Sequence, residues 1–422
     1  MTSRKVALVN LGCRVNRVEN DLVASRLEGA GLELSSPADA ELVVVNTCAV
    51  TGEAEAKTRK QLRRVAALPQ VPFVLASGCV ANLRGEELAA LAPNIEVVRD
   101  KSRIAEVALA RLGMEPGSVT DAGDLVPTPT PTGRMRPGIK IQDGCDNRCS
   151  YCIVWKARGA SRSADVAEVL AQVRSAVARG AHEVVLTGIN LGRFRGEDKE
   201  GRLLALPGLL DLVLGQTEVD RVRLSSIEPP DVTDELLEAM DRGGERVAPF
   251  LHVCLQSGCD ATLRRMGRVY DTAAYRRMAL HAREQIEGLA LGTDLIVGFP
   301  GETDAEFERS LAFCEEMAFA KMHVFRYSAR PGTPAATAEG QVSPKVMAER
   351  GRRTRELARQ MRRQSALGRV GAEELALVQY PGRAVTGRLH DLLVDPAVPL
   401  DALVRARVRS VMDDGTLVGE LL

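Results

Sequence analysis

The chain has 422 residues, 45% hydrophobic and 27% charged, and its 56 basic and 56 acidic residues leave a net charge of zero. These values exclude a disordered chain, a collagen-like fibre and a protein held to nucleic acid by overall charge alone. No stretch of about 18 apolar residues reads as a membrane span and no basic-plus-apolar leader opens the chain, so a cytoplasmic address without a membrane partner is the expectation. The length predicts two or three domains, each large enough to bury a core.

Residues 1–115 alternate strand and helix patterns. Val6–Val9, Leu42–Val45 and Phe73–Ala76 are short apolar runs. The first is followed by a helix with Asn16 and Glu19 as an expected capping pair and Val18, Leu22, Val23 and Leu27 as its buried face. A second helix is expected over Ala54–Ala66. Such alternation predicts a doubly wound parallel sheet. Cys13, Cys48 and Cys79 each stand a few residues beyond one of these strands, and in an open parallel sheet those ends share the edge where ligands bind. The three cysteines are therefore expected to converge.

Pro116, Pro127, Pro129 and Pro131 mark 116–136 as a Pro/Thr-rich linker. From 137 to 345, strand-like runs near Ile139–Gln142, Val184–Thr187, Val222–Ser225, Leu251–Leu255, Leu291–Val297 and His323–Tyr327 predict a partial β/α barrel with its reactive face at the C-terminal ends. An arginine-rich helix is expected over 346–369. It carries Arg350, Arg352, Arg353, Arg355, Arg359, Arg362, Arg363 and Arg369, which read either as a solvated face or as a phosphate-tracking surface; the run Lys57–Arg64 reads the same two ways. Residues 370–422 turn strand-like and predict a small β-barrel of a kind that often binds RNA.

The motif with the most chemical content is Cys145-x3-Cys149-x2-Cys152, in the loop after Lys140–Gln142. Nine cysteines in a chain of this type argue for metal or redox chemistry rather than disulfides. Three thiolates suit three irons of a 4Fe–4S cluster and leave the fourth iron open to a ligand. A structural zinc site would need a fourth protein ligand that the motif lacks.

This spacing resembles that of the radical S-adenosylmethionine (SAM) enzymes. With Cys13, Cys48 and Cys79, the chain resembles the radical SAM methylthiotransferases over essentially its whole length: an N-terminal domain with a second 4Fe–4S cluster, a radical SAM barrel and a small TRAM-like β-barrel. Leu11-Gly12-Cys13-Arg14-Val15-Asn16, Asn46–Thr51 and Gln142-Asp143-Gly144 are most similar to the branch acting on N6-threonylcarbamoyladenosine, the base just 3′ of the anticodon in tRNA. The alternatives are the branches acting on isopentenyladenosine in tRNA or on a ribosomal protein aspartate, and a non-catalytic iron–sulfur RNA-binding protein. The chain departs from the family pattern at Trp155, where proline is usual, and at Arg162-Ser163-Ala164.

The resemblance implies an enzyme that uses two SAM molecules, one to methylate a sulfur held at the second cluster and one to generate the radical that activates C2 of the adenine. Cys145, Cys149 and Cys152 are the implied catalytic cluster ligands, and Cys13, Cys48 and Cys79 the ligands of the second cluster. Tyr151 is expected against the adenine of SAM, Gly188 where backbone approaches the ligand, Ser226 and Glu228 at the ribose, and Gln256 and Arg268 at the carboxylate, with Asp294 nearby. The implied partners are the tRNA anticodon stem-loop, an electron donor such as flavodoxin or ferredoxin, and a sulfur source; a monomer is expected. Cys254, Cys259 and Cys314 read as buried thiols, and the histidines form no ligand spacing.

Overall fold

The computed structural model describes residues 4–115 and 135–422. The linker expected over 116–136 therefore lies outside the described residues except for Met135 and Arg136. The chain forms a five-stranded parallel sheet, an incomplete β/α barrel and a closed β-barrel in that order.

The first sheet has the order β2-β1-β3-β4-β5, with β1 Lys5–Asn10, β2 Glu33–Leu34, β3 Leu42–Thr47, β4 Phe73–Gly78 and β5 Ile95–Val97. The sequence pattern located β1, β3 and β4; β2 and β5 are too short to show a period. Leu42-Val43-Val44-Val45 is buried on both faces, as a β-branched central strand covered by helices must be. The helices are α1 Arg14–Gly29, α2 Gly52–Ala66, α3 Cys79–Ala89 and α4 Ile104–Arg111. Thr51 caps α2 by accepting a hydrogen bond from Ala54 N, and Glu53 and Glu55 in its first turn complement the helix dipole.

The expected capping pair at Asn16 and Glu19 is not formed. Helix α1 starts two residues before Asn16, with Cys13 at the N-cap and no side-chain cap. Asn16 instead donates to Thr47 O (2.8 Å), and buried Glu19 meets Lys101, Lys140 and Arg158. The local signature lost to longer-range partners that satisfy both groups better inside the protein.

In the central region the seven barrel strands lie parallel and in chain order, split between a three-stranded and a four-stranded sheet, beside two short antiparallel pairs. Gly138–Lys140, Glu183–Thr187 and Arg221–Leu224 form the first. Ser226–Ile227, Phe250–Val253, Ala290–Val297 and Lys321–Arg326 form the second. The two sheets meet at Ser225, between Arg221–Leu224 and Ser226–Ile227. Alternating apolar positions on these strands pack against the surrounding helices in one continuous core.

The helix Pro344–Leu367 leads into the closed barrel, whose strands follow the order Glu373–Tyr380, Arg383–Thr386, Asp391–Leu393, Leu417–Leu421 and Leu403–Val411. Asp391–Leu393 is too short to show a usable alternation in sequence. No described helix is long and apolar enough to cross a membrane.

Candidate active site

The Cys145–Cys152 loop is closed at its neck by Gln142–Asp143 pairing antiparallel with Arg162–Ser163. Gly144 has φ +71°, and a Cβ there would lie 1.9 Å from Ala160 O, so only glycine fits before Cys145. Gln142 fixes the loop to the next barrel strand: Nε2 donates to Gly144 O (2.9 Å) and Ser161 Oγ (3.0 Å), while Oε1 accepts from Ile189 N (3.0 Å) and Asn190 N (2.7 Å). Burial pushes the Cys152 thiol up to about 12 despite a hydrogen bond from Val154 N, and the charges of Cys149 and Cys145 add to the effect. Burial likewise raises Cys145, partly offset by Asn147 N and the Asn190 side chain. Crowded, half-buried thiols resist ionisation on their own, and a cation among them reverses that cost. The donor set therefore fits an iron–sulfur cluster.

The second thiol set follows from strand register. Asn10 pairs with Asn46 and Asn46 with Ser77, so the chain leaves β1, β3 and β4 at one level. Cys13 stands at the N-cap of α1 and Cys79 opens α3. Thr47 Oγ1 accepts from Val80 N and Ala81 N (both 3.2 Å), which ties the Cys48 turn to the Cys79 helix. Burial raises the Cys48 thiol to about 11, and both Cys13 and Cys79 are near enough to add to it. This set also fits a cluster by its donor chemistry.

A cavity of about 290 Å3 is lined by Cys13 from the N-terminal set together with Cys145, Cys149 and Cys152. Tyr151, Gly188, Ser226, Glu228, Gln256, Arg268 and Asp294 line it as well. Gln256 adopts φ +67°, a strained conformation for a side-chain-bearing residue, held by Gln256 N donating to Asp294 O and Ile296 N donating to Gln256 O (both 2.9 Å). The Tyr151 ring meets Phe299 edge-on, with centroids 6.4 Å apart.

The missing Cβ of Gly188 faces Gln142, whose Cβ and Oε1 would both lie 3.0 Å from it, so the loop anchor by itself favours glycine here. Arg268 and Glu228 form an ion pair, and Arg268 also donates to Cys149 Sγ (3.1 Å) and Tyr270 Oη (3.0 Å). Burial works against the Arg268 charge, yet Tyr151, Tyr270 and Cys149 together raise its pKa.

Sequence reasoning gave no role to Gln142, Asn190 or Arg158, although each organises the site. Arg158 donates to Asp143 Oδ1 and Glu19 Oε1 (both 2.9 Å) and also meets Asn16. It sits outside every recognisable motif, so no local signal marks it. The histidines showed no spacing, but strand register brings two of them to Asp294. His323 is its ladder partner, and His252 Nε2 lies 3.1 Å from its carboxylate. Cys254, Cys259 and Cys314 are buried, and Cys254 borders the cavity.

Comparison with known proteins gives this arrangement its class. Residues 139–314 match the Radical SAM superfamily, and residues 5–100 match Uncharacterized protein family UPF0004. A solved structure of a radical S-adenosylmethionine methyltransferase, TsrM, from Kitasatospora setae, with cobalamin and a [4Fe-4S] cluster bound, shares the fold. Its TM-score is 0.55 at 18% identity, covering 79% of this chain and 77% of that one. The class is thus that of the radical SAM enzymes. Threonylcarbamoyladenosine tRNA methylthiotransferase MtaB of Thermotoga maritima is 36% identical, covering 82% of this chain and 80% of the relative. A tRNA-2-methylthio-N(6)-dimethylallyladenosine synthase of Novosphingobium aromaticivorans is 35% identical over 81% of this chain and 79% of the relative. The chain belongs to the radical SAM methylthiotransferase family, whose enzymes work with SAM and 4Fe–4S clusters.

Proposed function

We propose that the protein places a methylthio group on C2 of N6-threonylcarbamoyladenosine next to the anticodon of tRNA. One observation carries the reading: thiols of both sets border a single cavity, in a chain 36% identical to a relative named for this modification. A base entering that cavity meets the radical-forming side and the sulfur-bearing side together. The loaded clusters and SAM supply the radical and sulfur chemistry, with Cys145, Cys149 and Cys152 holding one cluster and Cys13, Cys48 and Cys79 the other.

The remaining work falls to the chain's own side chains. Arg268, held by Glu228, orients the Cys149 sulfur by hydrogen bonding. Ser226, Gln256 and Asp294 offer polar contacts to the ribose and amino-acid parts of SAM, and Tyr151 packs against its adenine. Lys57, Lys60, Arg63 and Arg64 on α2 are exposed and make no ion pair among the described residues, which suits RNA phosphates. The arginine-rich helix suits them less. Arg350 is buried against Glu302, and Arg352, Arg353, Arg359 and Arg362 pair with Glu349, Glu308, Glu356 and Asp391. A flavodoxin or ferredoxin would supply electrons and a separate source the sulfur, to a cytoplasmic monomer.

Mass spectrometry of tRNA nucleosides from a deletion strain tests the assignment. The methylthio form of threonylcarbamoyladenosine should disappear and return on complementation. Loss of methylthio-isopentenyladenosine instead, with the threonylcarbamoyl form untouched, would assign the protein to the other branch.

A further inference from the structure

A second cavity, of about 470 Å3, opens inside the barrel and shares Arg14, Ser226 and Asp294 as common wall with the smaller one. All three parts of the chain line it: Arg14 and Arg17 from α1, Lys321 from the central region with Arg136 just before it, and Arg383 and Tyr380 from the closed barrel. Its charge is unbalanced. Arg136 and Arg223 share Glu183 (3.6 and 2.8 Å), whereas Arg14, Arg17, Lys321 and Arg383 have no ion-pair partner among the described residues. Six cations, Arg14, Arg17, Arg136, Arg223, Lys321 and Arg383, thus face three acids on the wall: Asp21, Asp294, whose carboxylate lies 3.1 Å from His252 Nε2, and Asp391, which pairs with Arg362 (2.5 Å). Burial lowers the pKa of Lys321, with Arg362, Arg136 and Arg14 adding to the effect and Asp391 opposing it. Like charges gathered in a low-dielectric recess are costly unless an anion joins them.

We propose that this cavity receives the carboxylate on the N6 substituent of the substrate adenine, with Lys321 and Arg383 among its binding cations. The inference rests on the threonylcarbamoyladenosine reading above. The geometry of the base supports it: C2 and C6 flank N1 on one edge of adenine, so presenting C2 to the smaller cavity directs the N6 substituent into adjoining space. Threonylcarbamoyl carries a carboxylate there, and arginine and lysine meet it with charge-assisted hydrogen bonds. A dimethylallyl group carries no charge and would leave these cations uncompensated. A backbone phosphodiester is the other source of an anion, and it would be recognised whatever stands on N6. The closed barrel then contributes to base selection directly, through Arg383.

The test uses the full-length reconstituted enzyme and anticodon stem-loop hairpins that differ only at N6: the threonylcarbamoyl acid, its neutral methyl ester and the isopentenyl form. Dissociation constants by fluorescence anisotropy without reductant and steady-state methylthiolation are both measured. The acid should bind roughly tenfold or more tighter than the ester, with the difference in KM rather than kcat. Lys321→Gln and Arg383→Gln, with melting temperatures matching the wild type, should each weaken acid binding several-fold and leave ester binding within about twofold. Equal binding of acid and ester by the wild type, with methylthiolation of both, overturns the inference and leaves the substrate reading standing. So does equal weakening of all hairpins by the variants, which would mark the cations as phosphate contacts. Methylthiolation of the isopentenyl hairpin alone overturns the substrate reading itself, and this inference with it.

Discussion

Arg158 joins the loop that bears Cys145 to the helix that bears Cys13, through Asp143 on one side and Asn16 and Glu19 on the other. Burial opposes ionisation of Glu19 and Asp143, but Arg158 and its cationic neighbours outweigh it and hold both carboxyls below their usual range. Arg158→Met removes a charge from a buried network and should cost about 3–5 kcal/mol. The expected result is a clearly lower melting temperature and faster iron loss; an unchanged melting curve would show the network to be energetically neutral. The cysteines divide by task. Cys145→Ala should abolish SAM cleavage, while Cys48→Ala should keep some cleavage and lose methylthiolation. Iron analysis should fall from about eight per chain to about four when either full set is replaced by alanine. Equal loss of both activities in Cys48→Ala would argue against separate roles.

At the scale of elements, the closed barrel carries its own pH dependence. His390 is buried, and burial together with Arg362, Arg369 and Arg388 pushes its imidazole down to about 4. The folded state therefore keeps His390 neutral, while the unfolded chain takes up a proton below about 6.5. Stability from this group is complete above that pH and is lost as pH falls toward 4, by on the order of 3 kcal/mol at 1.36 kcal/mol per unit. His390→Gln should flatten that part of the profile in thermal melts recorded between pH 4 and 7. An unchanged slope would place the acid sensitivity elsewhere. Helix α1 illustrates the opposite case, where a plausible local cap yields to partners from other elements.

Across the whole molecule, one buried carboxylate holds the closed barrel to the central one. Glu183 accepts from Arg221 (2.5 Å) and Arg223 (2.8 Å), whose far ends donate to Leu375 O and Gly387 O (both 2.7 Å). Glu183→Ala strands two buried guanidinium groups and should cost about 3–5 kcal/mol. Limited proteolysis should then cut first near the Pro344–Leu367 helix, because a loosened barrel exposes that connection. The wild-type cleavage pattern in this variant would show that docking rests on other contacts. Because the closed barrel also supplies Arg383 to the larger cavity, the same variant should weaken binding of the acidic hairpin.

The order of the three architectural parts and the positions of the cysteines in each set are legible in the sequence. Strands β1, β3 and β4 are long enough to show as apolar runs, and the Cys145–Cys152 spacing encodes its chemistry within one loop. Cys13, Cys48 and Cys79 were legible because a parallel sheet delivers equivalent strand ends to one edge. Tertiary structure alone decided what lies between these sets. Gln142 and Arg158 act across 48 and 142 positions respectively, and no local pattern records such a pairing. It also showed that most arginines of Pro344–Leu367 are spent on ion pairs, and that Arg14, Lys321 and Arg383, distant in the chain, share one cavity. Local periodicity reports which face of an element is buried. Which buried faces meet, and what charge they enclose, is fixed only when the elements pack.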